Sequence, residues 1–346
     1  MEGLKLTMGL DVHIGKPIDI KRFKQDALQA VPLAKIRREF KRVADFVLRS
    51  KSKVRVKSCY VCDSRKNNPV ATVYGMRYLK CARCGHVYAE IRLDGDAAEK
   101  YYRQDQSYSN AHAHPKTYEY RLREIASPKI DFVKPYVKTK RRRWLDVGSG
   151  SGDIVVSARR HGFDAHGIEI SETSVRFAKK VFGVELHQQT LDEFSQAQPD
   201  GSWDIVSFFG VLEHIPDPKK QVLLAKRLLS KNGLLVIEVP SADSISALSD
   251  FLYGDQVVRH MYPPFHIMAF TRKSLLRFAS NAGFKPEALW YFGLDFYNML
   301  VHWGMQSPAF FKSALADFLI THSNEFQDVI DRKQMSDELV LVARKA

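Results

Sequence analysis

Two Cys-x-x-Cys pairs, Cys59/Cys62 and Cys81/Cys84, hold all four cysteines of the chain and stand eighteen residues apart. That spacing predicts a four-thiolate zinc site. Each pair makes a tight knuckle, and Gly85 supplies a backbone able to turn after the second. Between them, "VATVY" and "MRYLKC" read as a short hairpin. So small a segment buries too little apolar surface to fold alone, and the metal would supply the folding energy. Four bound sulfurs leave no coordination position for water, so the expected zinc is structural. Two disulfides or free thiols are the competing readings. A ribbon of this kind binds nucleic acid, binds protein, or braces a neighbouring domain, and its residues do not choose among these.

The second constellation lies in "WLDVGSGSGDIVVSARRHGFDAHGIEIS", residues 144 to 171. An apolar stretch runs through Gly148, Gly150 and Gly152 into another that ends on Glu169. Glycines there let the backbone turn sharply and approach a ligand that a Cβ would hit. Glu169 ends the next strand, where a carboxylate accepts hydrogen bonds from both hydroxyls of a ribose. The dinucleotide fingerprint would need glycine at 153, where this chain has Asp153.

Elements in regular alternation must hold these residues in place. "RWLDVG", "DAHGIEI", "VELHQQ", "WDIVSFFG" and "GLLVIEVP" read as strands. "DIVVSARRHG", "SETSVRFAKKVFG" and "PKKQVLLAKRLLS" read as helices, the second with Ser171 as N-cap and Gly183 beyond its end. That rhythm predicts a parallel sheet with helices on both faces and a ligand at the carboxyl ends of its strands.

Gly-Ser-Gly-Ser-Gly with Asp146 before it resembles motif I of the class I S-adenosylmethionine-dependent methyltransferases. "WDIVSFFGVLEHIPDP", "LLSKNGLLVIEVPS", "FHIMAFTRKSLLRFASNAGF" and "SDELVLVARK" resemble, in order, later segments of that family, so the likeness covers residues 141 to 346. It implies an α/β fold, a Rossmann-like seven-stranded methyltransferase sheet with the last strand antiparallel, preceded by a small zinc ribbon. It also implies S-adenosylmethionine as cofactor. Asp146, Gly148, Gly150 and Gly152 would then hold the amino-acid end, and Glu169 the ribose. The adenine would lie near Gln189, Thr190 and Leu191, and Phe208, Phe209 and Gly210 would border the methionine moiety. The ribbon with the tyrosine-rich link "EKYYRQDQSYSN" further resembles bacterial enzymes that methylate sugars and other small molecules.

Methyl transfer from a sulfonium needs the acceptor aligned behind the methyl and, for an alcohol, its proton removed. His266 is the preferred general base, with His214 as the second catalytic candidate and His260 read as a loop-holding residue. Glu213 beside His214 also resembles the pair with which some relatives hold a divalent metal. Tyr101, Tyr102, Tyr108, His112 and His114 lie in the link, read either as a lid on the cofactor or as packing between domains.

The 346 residues carry a formal charge of +14 and 45% hydrophobic residues, which suits one large domain plus something smaller. No apolar run is long enough to span a bilayer and no signal-peptide core is evident, so a cytoplasmic placement is expected, with peripheral contact at the inner membrane surface as the second. We divide the chain into a basic segment with an amphipathic helix (1–56), the ribbon (57–90), a helical link (91–140) and the methyltransferase domain (141–346) with a helical insertion at about 295–332. In the first, Leu33, Ile36, Phe40, Val43 and Val47 recur on one face, opposite Lys and Arg; that helix docks on the protein or lies on an anionic surface. The leading acceptor is an oxygen of a sugar or glycan precursor. RNA held by ribbon and basic helix is one alternative, and a quinone or lipid at the membrane surface is the other.

Overall fold

The structure, a computed structural model, describes residues 9–15, 33–104, 118–257, 259–261, 265–307 and 309–346. Tyr108, His112 and His114 lie outside the described residues. A short strand β1 (Asp11–Ile14) opens it. Around the cysteines come β2 (Lys53–Arg55), β3 (Asn67–Val73), β4 (Met76–Cys81), β5 (Val87–Ala89) and β6 (Ile91–Leu93). The larger unit contributes β7 (Arg143–Val147), β8 (Asp164–Ile168), β9 (Trp203–Phe209), β10 (Leu229–Pro240), β11 (Met268–Ala269), β12 (Phe284–Phe292) and β13 (Glu338–Lys345).

Seven strands form the main sheet in the order β1-β12-β13-β10-β9-β7-β8. β7, β8, β9 and β10 pair in parallel, and β13 inserts antiparallel between β10 and β12. The strand order reverses between β7 and β9, since the sequence leaves β7 toward β8 on one side and then crosses to β9 on the other. That crevice at the carboxyl ends is where such sheets bind ligands. β9, β10 and β13 are buried along most of their length, which explains their near-continuous Val, Ile, Leu and Phe.

The count of seven conceals an exchange. "VELHQQ", expected as a strand, makes only one bridge, Ile168 with His187. The backbone turns away at once because Thr190 caps the helix Leu191–Gln196 through a reciprocal bond with Glu193. Too few residues remain for a ladder. The seventh place is taken at the opposite edge by β1, parallel to β12.

The helix Leu33–Arg49 docks on the protein, with Val43, Ala44 and Val47 buried and Lys35, Arg38, Lys41 and Arg42 outward. Three helices, Asp295–Gln306, Ala314–Thr321 and Ser323–Arg332, precede β13. Among the described residues no helix is long and apolar enough to cross a membrane.

The cysteine unit is joined to the main body by more than side-chain packing. β11–β5–β4–β3 form one four-stranded sheet, so a strand from the larger unit completes the sheet of the smaller. Asn281 Nδ2 also donates to the Val61 carbonyl at 3.0 Å.

Candidate active site

The glycine loop follows β7 directly. Gly148, Gly150 and Gly152 have φ of +69°, +52° and +85°, the left-handed region that glycine tolerates. A Cβ on Gly148 would stand 2.7 Å from Val211 Cγ2. Gly148→Ala is therefore expected to lower unfolding free energy by about 1–3 kcal/mol; a denaturant titration showing unchanged stability would refute this. After Gly152, which as N-cap offers no side chain to cap it, the helix Asp153–Arg160 begins.

Glu169 locks this loop. One carboxylate oxygen accepts from the Gly150 amide and the other from the Ser171 amide, each at 2.8 Å. Each oxygen keeps a second lone pair, which leaves capacity for ribose hydroxyls. Burial pushes its pKa up, against the pull of those amides. Asp146 is sealed at the end of β7. Its Oδ1 accepts from Ser207 Oγ at 2.6 Å, and burial raises its pKa to about 7. Its carboxylate braces β7 against β9 in this arrangement.

On the adenine side, Gln189 is exposed, Leu191 is buried, and Thr190 has its hydroxyl committed to the helix cap. The Phe208 side chain is fully buried in the core, so only its main chain borders the crevice. Phe209 is half-buried on the other face, and Gly210 turns the chain with φ +66°.

Beyond Gly210 the short turn Leu212–His214 carries Glu213 and His214 to the carboxyl edge. The segment before β11 brings in His266, whose ring centroid lies 4.6 Å from that of His214. Ligand atoms of Glu213, His214 and His266 all fall within 4.8 Å of one another. Glu213 is buried, its Oε2 has no hydrogen-bond partner among the described residues, and desolvation raises its pKa to about 8. Burial lowers His214 to about 4 and His266 well below its usual value. Both imidazoles are thus neutral near pH 7, the form that ligates a cation, and burial makes each a weaker base than an ordinary imidazole. One carboxylate and two imidazoles also form a sensible donor set for a divalent metal. His260 is held by Asp337, with Nε2 3.0 Å from Oδ2. Arg259 lies against the same carboxylate at 3.4 Å, and Glu338 is the next acid beside both.

From the link, Tyr102 Oη lies 3.0 Å from His214 Nδ1, and Tyr101 packs edge-on against Phe265. These tyrosines pack at the edge of the crevice.

Sequence patterns gave no sign of Lys129, in the helix Ser127–Val133. It is buried, and its Nζ donates to Glu238 Oε1 at 2.7 Å while lying 5.2 Å from the Phe209 ring centroid. The available signal was Glu238 itself, one acid inside the apolar run "LLVIEV". A buried charge requires a partner, and that partner had to come from elsewhere in the chain.

The four cysteines lie together. Cys59 and Cys84 Sγ are 3.5 Å apart, as are those of Cys62 and Cys81, and all four sulfurs fall within 4.8 Å of one another. None is in a disulfide. Sulfurs at about 2.3 Å from a tetrahedral zinc stand about 3.8 Å from each other, so the cluster has the dimensions of such a site.

A family model described as a methyltransferase domain matches residues 118–289, the stretch holding the glycine loop, Glu169, and Glu213 to His266. The chain is a class I S-adenosylmethionine-dependent methyltransferase. A ubiquinone biosynthesis O-methyltransferase of Ralstonia nicotianae is 28% identical over 174 residues, 49% of this chain and 73% of that protein. The protein so named in Dechloromonas aromatica is 26% identical over 175 residues, 49% of this chain and 75% of that protein. Among solved structures, a SAM-dependent methyltransferase from Archaeoglobus fulgidus aligns with a TM-score of 0.45 at 20% identity, covering 64% of this methyltransferase and 94% of that chain.

Proposed function

We propose that this methyltransferase moves the methyl of S-adenosylmethionine to a hydroxyl oxygen on an aromatic ring, in the class of ubiquinone precursors. The observation carrying the proposal is the convergence of Glu213, His214 and His266 beside Gly210, where the glycine loop would present the sulfonium. The names of the relatives favour oxygen and a quinone precursor over the sugar or glycan acceptor first expected. The half-buried Phe209 ring beside Lys129 suits a flat acceptor.

The bound cofactor supplies an activated methyl, and the protein supplies alignment and a proton acceptor. His266, neutral through burial, takes the hydroxyl proton as the oxygen attacks the methyl carbon. S-adenosylmethionine, when bound, would supply the methyl to that oxygen and keep the electron pair of the broken sulfur–carbon bond as a neutral thioether. His266→Ala should keep cofactor affinity and lose about 10²–10⁴-fold in kcat. Lost cofactor binding in that variant would make His266 structural instead. In place of proton removal by His266, a divalent cation held by Glu213, His214 and His266 would lower the acceptor's hydroxyl pKa. We further propose structural zinc at Cys59, Cys62, Cys81 and Cys84, on their matched separations.

A further inference from the structure

We propose that Tyr78, in the cysteine unit, is a positioning residue for methyl transfer: it fixes the main chain that carries His266. The inference rests on the proposed role of His266. Tyr78 lies in β4, is fully buried, and donates its hydroxyl proton to the His266 carbonyl at 2.7 Å. Its neighbours in the fold clamp the same short stretch from both sides. The Ala89 amide of β5 donates to the Ile267 carbonyl at 2.8 Å, and β11 then pairs with β5 in the register Met268 with Tyr88 and Ala269 with Val87. On the far side, the Ile267 amide donates to the Glu213 carbonyl at 2.9 Å.

Residues 266 to 268 are therefore strung between the cysteine unit and the turn that bears Glu213 and His214. An imidazole on such a stretch keeps its distance to the acceptor only if the stretch does not slide. A displacement of about 1 Å costs on the order of 10²-fold in rate. The cysteine unit thus completes the active site, a role distinct from carrying a separate substrate.

The other inter-unit tyrosine bond gives the control. Tyr74 Oη donates to the Val257 carbonyl at 2.6 Å, joining the same two units away from residues 265 to 269. Tyr78→Phe and Tyr74→Phe each remove one hydroxyl and keep the ring. Both are compared with the unaltered full chain by amide hydrogen exchange and by methyl transfer to 3,4-dihydroxybenzoate as the probe. For Tyr78→Phe we expect exchange at 265–269 to rise about tenfold and kcat to fall at least tenfold, with KM and S-adenosylmethionine affinity unchanged. Tyr74→Phe should leave kcat within about twofold. Unchanged exchange at 265–269 in Tyr78→Phe, or equal loss of kcat in both variants, overturns the proposal. An unaltered protein inert toward the probe counts against the proposed acceptor, and the exchange comparison then decides Tyr78 by itself.

Discussion

Glu169→Ala is expected to weaken S-adenosylmethionine binding about a hundredfold while the sheet stays folded. The carboxylate holds two elements that the cofactor must meet: Gly150 within the glycine loop and Ser171 at the start of the helix Glu172–Phe182. Charge-assisted hydrogen bonds of this kind contribute about 1.5–3 kcal/mol each. Losing them frees the loop, and it also removes the oxygens expected to accept from the ribose hydroxyls. Glu169→Gln separates the two effects. It keeps one carbonyl oxygen for an amide and places a donor where the second amide points, so its loss should be intermediate. Isothermal titration of S-adenosylmethionine into the three proteins checks this. Equal affinity in all three would remove Glu169 from the cofactor site.

The second large effect is expected at the cysteines. Cys81→Ser should reduce bound zinc from one equivalent per chain to none and abolish methyl transfer, although Cys81 lies outside the crevice. Structural zinc contributes about 10–16 kcal/mol to the folding of small metal-bound units, far more than the hydrogen bonds along β3–β4–β5 can replace. Without β5, β11 loses its pairing strand and the His266 segment loses its support from the cysteine unit. β7, β8, β9 and β10 do not depend on that pairing, so cofactor binding should persist in the variant. Metal analysis with a cofactor titration reads both halves. Full zinc content, or undiminished turnover, in Cys81→Ser contradicts the account.

How far the sequence could be read depended on whether a feature was local. The glycine loop, Glu169 after β8, the Ser171 cap and the turn at Gly183 depend on neighbouring residues, and the structure shows each of them. The cysteine pairs were legible because two Cys-x-x-Cys knuckles at that spacing can converge, and their four sulfurs do lie together. Features requiring distant partners were not. β1 has only four residues, all exposed, and is held by pairing with β12, with Asp11 opposite Ala288, and by Tyr136, partners far away in the sequence. "VELHQQ" has the composition of a strand, yet the cap at Thr190 ends it after one bridge. Glu213 and His214 were noticed as neighbours, but the arrival of His266 depends on the strand pairing that joins the two units. Lys129 carries no motif, and its role appears only where Glu238 is buried opposite it.

The most direct test of the central claim is transfer of labelled methyl from S-adenosylmethionine into separated acceptor pools: hydroxylated quinone precursors, sugar nucleotides with glycans, and RNA. The account predicts label in the quinone-precursor pool, on oxygen, and its loss in His266→Ala with cofactor still bound. Label confined to the glycan or RNA pool, or no label in any pool from a protein that binds the cofactor, would contradict it.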